Sequence, residues 1–246
     1  LVIANTNDFP TAQHIREILL VVRKLNPEFL KEVHRYDVTC RINFDINWGL
    51  GSSSSLLANI ASWAGIDPFG LHFQVSTGSG YDIAAAISDT PVIYKLMDGR
   101  PEYRPVSFHP LFQEKLFFGY LGKKRKSSEA VENFRKDQFI ATDAVDEISA
   151  ITRQIAGVSD LYGFVQLLKR HDRIISQLLN EIPVAEQRFS DFNGYVKSLG
   201  AWGGDFALFA SDYPRDYLIS YFRKKDIKHW YTFKDMIKPV KPGIHV

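Results

Sequence analysis

Three glycine-bearing segments hold the side chains of this sequence whose types and spacing could do chemistry. The first is Gly49-Leu50-Gly51-Ser52-Ser53-Ser54. Glycines let a backbone approach an anion closely, and serine hydroxyls can bind phosphate oxygens or Mg²⁺. The lysine of a Walker A loop is absent, so this is not that motif. A serine-rich loop that only caps a helix explains the segment, taken alone, equally well. The second is Gly78-Ser79-Gly80-Tyr81-Asp82. Its glycines permit a tight turn that presents Asp82 at a helix start, where an aspartate is ordinarily a cap. Beside a phosphate site, the same carboxylate could accept the proton of a substrate hydroxyl or orient that hydroxyl. The third is Gly200-Ala201-Trp202-Gly203-Gly204-Asp205. It suits either a glycine-rich hairpin or a place where backbone lies against a ligand.

These segments need elements to hold them, and hydrophobic periodicity supplies candidates. Ile15, Ile18, Leu19 and Val22 recur at helical spacing after Pro10-Thr11, and a shorter helix is expected over 26–33. Val38, Cys40, Ile42, Phe44 and Ile46 alternate with polar residues, the pattern of a strand leading into the first glycine segment. An apolar helix follows over 56–64, and Asp67-Pro68 opens another. Strands are expected over 91–96, 103–108, 116–121, 195–199 and 205–210, with an edge strand over 227–231. Long helices are expected over 137–156 and 159–182, and one more after Pro214. The first glycine segment thus falls between strand and helix, the second before a helix and the third between two strands. A helix N-terminus attracts anions, which makes the first arrangement suited to phosphate.

Composition narrows the function classes. The 246 residues can bury a substantial core, with a boundary near Pro110 dividing residues 1–110 from 111–246. A net charge of +2 gives no reason to invoke nucleic acid or an acidic membrane. One cysteine, Cys40, can form neither an internal disulfide nor a zinc site, so a reducing, cytoplasmic setting is expected. No apolar run reaches the ~18–20 residues of a membrane span. The chain opens on Leu1-Val2-Ile3 without methionine, and further residues are expected upstream.

Other candidates have plain structural readings. Lys123-Lys124-Arg125-Lys126 precedes a helix that Ser127 or Ser128 can cap; it is either an anion-docking run or solvated charge. His171, between Arg170 and Asp172 within a helix, reads as surface. Trp48 borders the first glycine segment and packs against either nucleotide or core. Tyr217, Tyr221, Phe222, Trp230 and Tyr231 read as packing.

Taken in order, the three segments resemble the motifs of the GHMP kinases, named for galactokinase, homoserine kinase, mevalonate kinase and phosphomevalonate kinase. Gly49-Leu50-Gly51-Ser52-Ser53 is similar to the family's second motif, GLGSS. Gln74 through Asp82 resembles the phosphomevalonate-kinase version QGKxGSGFD, and Gly80-Tyr81-Asp82-Ile83-Ala84 resembles a bacterial branch with the pattern GYDIA. The third segment resembles GAGGGD. The resemblance implies an α+β fold of two lobes, an N-terminal half like ribosomal protein S5 domain 2 and a ferredoxin-like C-terminal half, with the first strands lacking here.

The resemblance also implies an ATP- and Mg²⁺-dependent kinase acting on a small-molecule acceptor, with mevalonate or phosphomevalonate chemistry favoured. Gly49, Leu50, Gly51, Ser52, Ser53 and Ser54 would hold the triphosphate, with Ser53 as Mg²⁺ ligand. Asp82 would be the catalytic carboxylate, and Ser79, Gly80, Gly200, Ala201, Gly203 and Gly204 would shape the acceptor pocket. The chain departs from the pattern in three ways. Residues 1–37 carry no match to the family's first motif, Trp202 stands where the third motif has glycine, and Gln74 cannot supply the acidic Mg²⁺ ligand of mevalonate kinase. A sugar kinase and a non-catalytic nucleotide- or metabolite-binding protein therefore remain as alternatives.

Overall fold

A computed structural model describes residues 1–32, 34–122, 142–200 and 205–237. The chain divides into two units. The first comprises residues 1–46, 50–88 and 94–104; the second comprises 47–49, 89–93 and 105–246.

The first unit is built on four helices whose starts are written in the sequence. Helix α1 (Phe9–Leu25) is capped by Asp8, which accepts from the Thr11 N–H at 3.2 Å, and Pro10 fits its first turn. Arg23 and Lys24 sit at its negative end, and Ile18 and Val22 are buried on one face. Helix α2 (Ser52–Ala64) stops at Gly65, whose left-handed φ of 61° lets its N–H reach back to the Ser62 carbonyl. Asp67 caps α3 (Pro68–Val75), accepting from Phe69 and Gly70 N–H groups at 3.3 and 2.7 Å. A short α4 (Tyr81–Ile87) follows. Helices α1 and α2 both pack on α3, and α2 also packs on α4. Leu57, Ile60 and Ala61 of α2, Leu71 of α3 and Ile83 and Ala84 of α4 are buried. Strands β1 (Val92–Met97) and β2 (Arg100–Pro105) form a hairpin turning at Asp98-Gly99, both at positive φ as a tight two-residue turn demands.

The second unit centres on an antiparallel sheet. Its strands are β3 (Leu116–Tyr120), β4 (Tyr195–Ser198), β5 (Phe206–Ala210) and β6 (Trp230–Thr232), in the order β4-β5-β3-β6. Strand β5, Phe-Ala-Leu-Phe-Ala, is buried throughout, as an inner strand covered on both faces must be. Its register sets Phe209 opposite Phe117 and Phe206 opposite Tyr120. The helices are α5 (Thr142–Gly157), α6 (Leu161–Leu179), α7 (Val184–Arg188), α8 (Arg215–Lys224) and α9 (Phe233–Met236). Phe117, Val196, Phe209, Leu218 and Phe222 form the core between sheet and helices.

The sequence reading needs two corrections. Residues 38–46 form no strand: Val38, Ile42 and Ile46 are exposed, and no described strand pairs with the segment. Alternation makes a strand only where a neighbour accepts its backbone hydrogen bonds and a core accepts its apolar face. The helix expected over 26–33 is instead a turn at 27–30, where Leu30 takes φ 53° and ends any helical run. The second strand of the hairpin and the edge strand lie three residues away from the expected starts, at Arg100 and Trp230. Lys123, Lys124, Arg125, Lys126, Ser127 and Ser128 lie outside the described residues, as does the expected start of α5.

Candidate functional site

Within the first unit, two helix starts share an uncommon construction. Gly51 is the N-cap of α2, left-handed at φ 80°, and no side chain caps the helix. The serines are therefore not caps; they form the first turn. Helix geometry leaves the N–H groups of Ser52, Ser53 and Ser54 without intrahelical acceptors and concentrates positive potential there. Ser54 is buried, and its hydroxyl donates to the Gly51 carbonyl at 3.0 Å, so it supports the turn. Ser52 and Leu50 are half-buried, and Ser53 alone of the three serines is exposed.

Gly80 caps α4 in the same manner, with φ 88° and no side-chain cap. Asp82 is the second residue of the helix rather than its cap, which removes the simplest structural explanation for it. Its Oδ1 accepts from the adjacent Ile83 N–H at 3.0 Å, and the side chain is half-buried. Two residues that the sequence reading did not single out hold the preceding turn. His72, buried on α3, sets Nε2 3.2 Å from the Gly78 carbonyl oxygen. Tyr94, on β1, donates its hydroxyl to the Ser79 carbonyl. A Cβ at Gly80 would sit 3.4 Å from both the Phe69 ring and the Tyr94 hydroxyl, and 3.5 Å from His72. Burial, and then the charge of Asp82, pushes the Tyr81 and Tyr94 phenols above their ordinary range. No pattern in the sequence marked either residue: α3 also carries Gln74, so a polar His72 did not stand out.

The second unit holds the remaining motif residues. Gly49 is left-handed at φ 66°, and a Cβ there would lie 1.9 Å from Asp205 Oδ2. The first and third glycine segments thus touch directly, through backbone on one side and a carboxylate on the other. Trp48 packs among His229, Tyr120, Phe206 and Tyr231, with ring centroids 5.0–6.0 Å apart. It is half-buried there. Gly200 follows β4 at φ 69°. Ala201, Trp202, Gly203 and Gly204 lie outside the described residues.

A buried polar network anchors the strand that runs into Gly200. Asp172 of α6 is 1% exposed; it accepts from the Tyr195 hydroxyl at 2.8 Å and from the Lys197 ammonium, both on β4. Burial pushes its carboxyl up, but the His171 ring 3.5 Å away, Lys197 and Tyr195 outweigh that and hold it below the ordinary value. His171, read from the sequence as surface, is half-buried beside the buried Asp172. Phe164, Leu168 and Asp172 recur every four residues on the buried face of α6, and that spacing was the available signal.

Among the described residues no group of three or more His, Cys, Asp or Glu side chains could hold a metal. Mg²⁺ bound with phosphates needs few protein ligands and keeps several waters; the exposed Ser53 hydroxyl fits as one such ligand, while the uncapped N–H groups suit the phosphates and not the ion. No helix among the described residues is long and apolar enough to cross a membrane.

No protein-family model matches the sequence, and no curated protein does. Solved structures are informative. The chain is similar to L. major mevalonate kinase in complex with R-mevalonate, with a TM-score of 0.57 and 16% identity over 91% of this chain and 78% of that one. It is similar to Methanococcus jannaschii mevalonate kinase, with a TM-score of 0.56 and 16% identity over 92% and 77% of the two chains. A third mevalonate kinase gives 0.54 and 14% identity, over 92% and 75%. The chain therefore has the mixed α+β fold of the GHMP kinases.

Proposed function

We propose that the chain is an ATP-dependent small-molecule kinase that transfers the γ-phosphoryl group to a hydroxyl or phosphate of a metabolite. A mevalonate- or phosphomevalonate-like acceptor is favoured. One observation carries this reading: two packed helices, α2 and α4, each begin on an uncapped left-handed glycine, and their first turns hold Ser53 and Asp82. The fold likeness to mevalonate kinases supports it. In this reading residues 1–110 are the ATP-binding domain and 111–246 the second domain.

The roles follow from the chemistry of each group. Gly49 and Gly51 let the loop backbone approach the triphosphate, and the N–H groups of Ser52, Ser53 and Ser54 donate to phosphate oxygens. Ser53 Oγ is the proposed Mg²⁺ ligand; the ion, when bound, neutralises charge on the β- and γ-phosphates. Asp82 accepts the proton of the acceptor oxygen as that oxygen forms its bond to the γ-phosphorus and the bond from phosphorus to the ADP oxygen breaks. Ser79 and Gly80 border the acceptor in this reading. Because such transfers depend chiefly on positioning and charge stabilisation, backbone held rigidly at glycine is as important as the carboxylate.

The test is ADP release with Mg²⁺-ATP and a panel of R-mevalonate, phosphomevalonate, homoserine and galactose. Wild type should show acceptor-dependent turnover, and Asp82→Asn should lower it at least ~100-fold with ATP binding retained. Equal turnover in the two proteins would overturn the role of Asp82.

A further inference from the structure

We infer that His72 and Tyr94 act as a two-point clamp that positions Asp82 for the reaction, through the backbone of the turn before it. The inference rests on the proposed function and adds to it two residues that lie outside all three glycine segments. Neither is a catalytic residue; both act through the turn.

The geometry is specific to positioning. Gly78-Ser79-Gly80 is the only covalent lead into the first turn of α4, and its two consecutive carbonyls, at Gly78 and Ser79, are each engaged by a different element. His72 comes from α3 and Tyr94 from β1. Gly80 cannot cap α4 with a side chain, and its left-handed φ of 88° gives the turn little local preference for one geometry. Among the described residues Asp82 accepts from its own neighbour Ile83, a bond that ties the carboxylate to α4. With Ile83 and Ala84 buried in the same turn, the two side chains that grip the backbone before it hold the direction of α4's start, and with it the carboxylate.

The tautomer follows from the contact. To donate to the Gly78 carbonyl, His72 must carry its proton on Nε2. Its Nδ1 is buried and has no hydrogen-bond partner among the described residues. An orphaned buried nitrogen is a cost that apolar residues of similar shape would avoid, so the helix α3 core alone gives no reason for histidine here. The Nε2–H bond does. Phe69 lies on the same side: a Cβ built on Gly80 would make ordinary contact with its ring at 3.4 Å, as with the Tyr94 hydroxyl at 3.4 Å and His72 at 3.5 Å.

The experiment compares Tyr94→Phe, His72→Phe and His72→Gln in the full chain, with Asp82→Asn alongside. Tyr94→Phe keeps the ring and removes one donor. His72→Phe keeps an aromatic ring, larger than imidazole, and removes the other, whereas His72→Gln can return an N–H near the Nε2 position. Hydrogen exchange followed by mass spectrometry reads the peptide covering 77–87 against the one covering 52–64, and steady-state kinetics use Mg²⁺-ATP with R-mevalonate and phosphomevalonate. The expected result is faster exchange in 77–87 for Tyr94→Phe and His72→Phe, with 52–64 unchanged. With it, kcat should fall ~10- to 100-fold at an ATP KM within ~2-fold of wild type, because a misplaced group weakens the transition state and not nucleotide binding. His72→Gln should recover most of the loss. A wild-type kcat in Tyr94→Phe beside an inactive Asp82→Asn would overturn the clamp alone. Asp82→Asn turning over like wild type would overturn the proposed function, and the clamp's purpose with it.

Discussion

Gly49→Ala joins the backbone of the first glycine segment to the carboxylate of the third. The introduced methyl would lie 1.9 Å from Asp205 Oδ2, 2.3 Å from its Cγ and 3.0 Å from its Cβ. Ordinary contact needs about 3.4 Å or more, so Asp205 or the loop must move by roughly 1.5 Å. Alanine at φ 66° also carries ~1–2 kcal/mol of left-handed strain. Overpacking of this kind adds ~1–3 kcal/mol, giving a total near ~2–5 kcal/mol. Gly122→Ala is the control, because Gly122 takes φ 76° in the same unit and nothing lies within 4 Å of its Cβ position among the described residues. It should lose only the strain. Urea unfolding reads the stabilities, and calorimetric titration with Mg²⁺-ATP reads the loop. Gly49→Ala should be less stable than Gly122→Ala by ~1–3 kcal/mol and bind nucleotide more weakly. Equal stability and unchanged nucleotide affinity would refute the packing argument.

The other predictions concern single side chains. Asp172→Asn should destabilise the protein by on the order of 3 kcal/mol, since it removes the buried carboxylate that the half-buried Lys197 ammonium faces; a chemical-denaturation curve within ~0.5 kcal/mol of wild type would contradict this. The folded-state pKa of Asp172 is depressed, so its stabilisation is present above the ordinary carboxylate pKa near ~4 and is lost as pH falls through the lower folded value. Thermal midpoints followed downward from neutral pH should show this acid-side loss in wild type and a shallower one in Asp172→Asn. Ser53→Ala should weaken Mg²⁺-dependent nucleotide binding ~10-fold with little effect on stability, because its hydroxyl is exposed. Ser54→Ala should reverse the pattern and cost ~1 kcal/mol of stability through the lost bond to Gly51.

What the sequence disclosed followed the range of the interactions involved. Asp8 and Asp67 cap α1 and α3 through residues two or three positions away, and Pro10 and Pro68 reinforce them, so those helix starts were legible. Gly51 and Gly80 were legible as turns, but not as the caps themselves, because Ser52, one residue on, and Asp82, two residues on, are better side-chain caps. Residues 38–46 had the alternation of a strand without a partner, and pairing is a property of another segment. His72 and Tyr94 act on backbone carbonyls six and fifteen residues away, which no side-chain pattern marks. The approach of Gly49 to Asp205 depends on folding of the whole second unit. The buried Asp172 was concealed by Arg170 and His171, which give the segment the composition of a solvated face.

The most direct test of the central claim is acceptor-dependent ADP release by the protein with Mg²⁺-ATP, measured in parallel with Asp82→Asn. The account predicts turnover with at least one hydroxyl- or phosphate-bearing acceptor of the mevalonate type, reduced at least ~100-fold by the substitution while ATP still binds. Failure of the wild-type protein to bind Mg²⁺-ATP, or turnover that Asp82→Asn leaves unchanged, would contradict it.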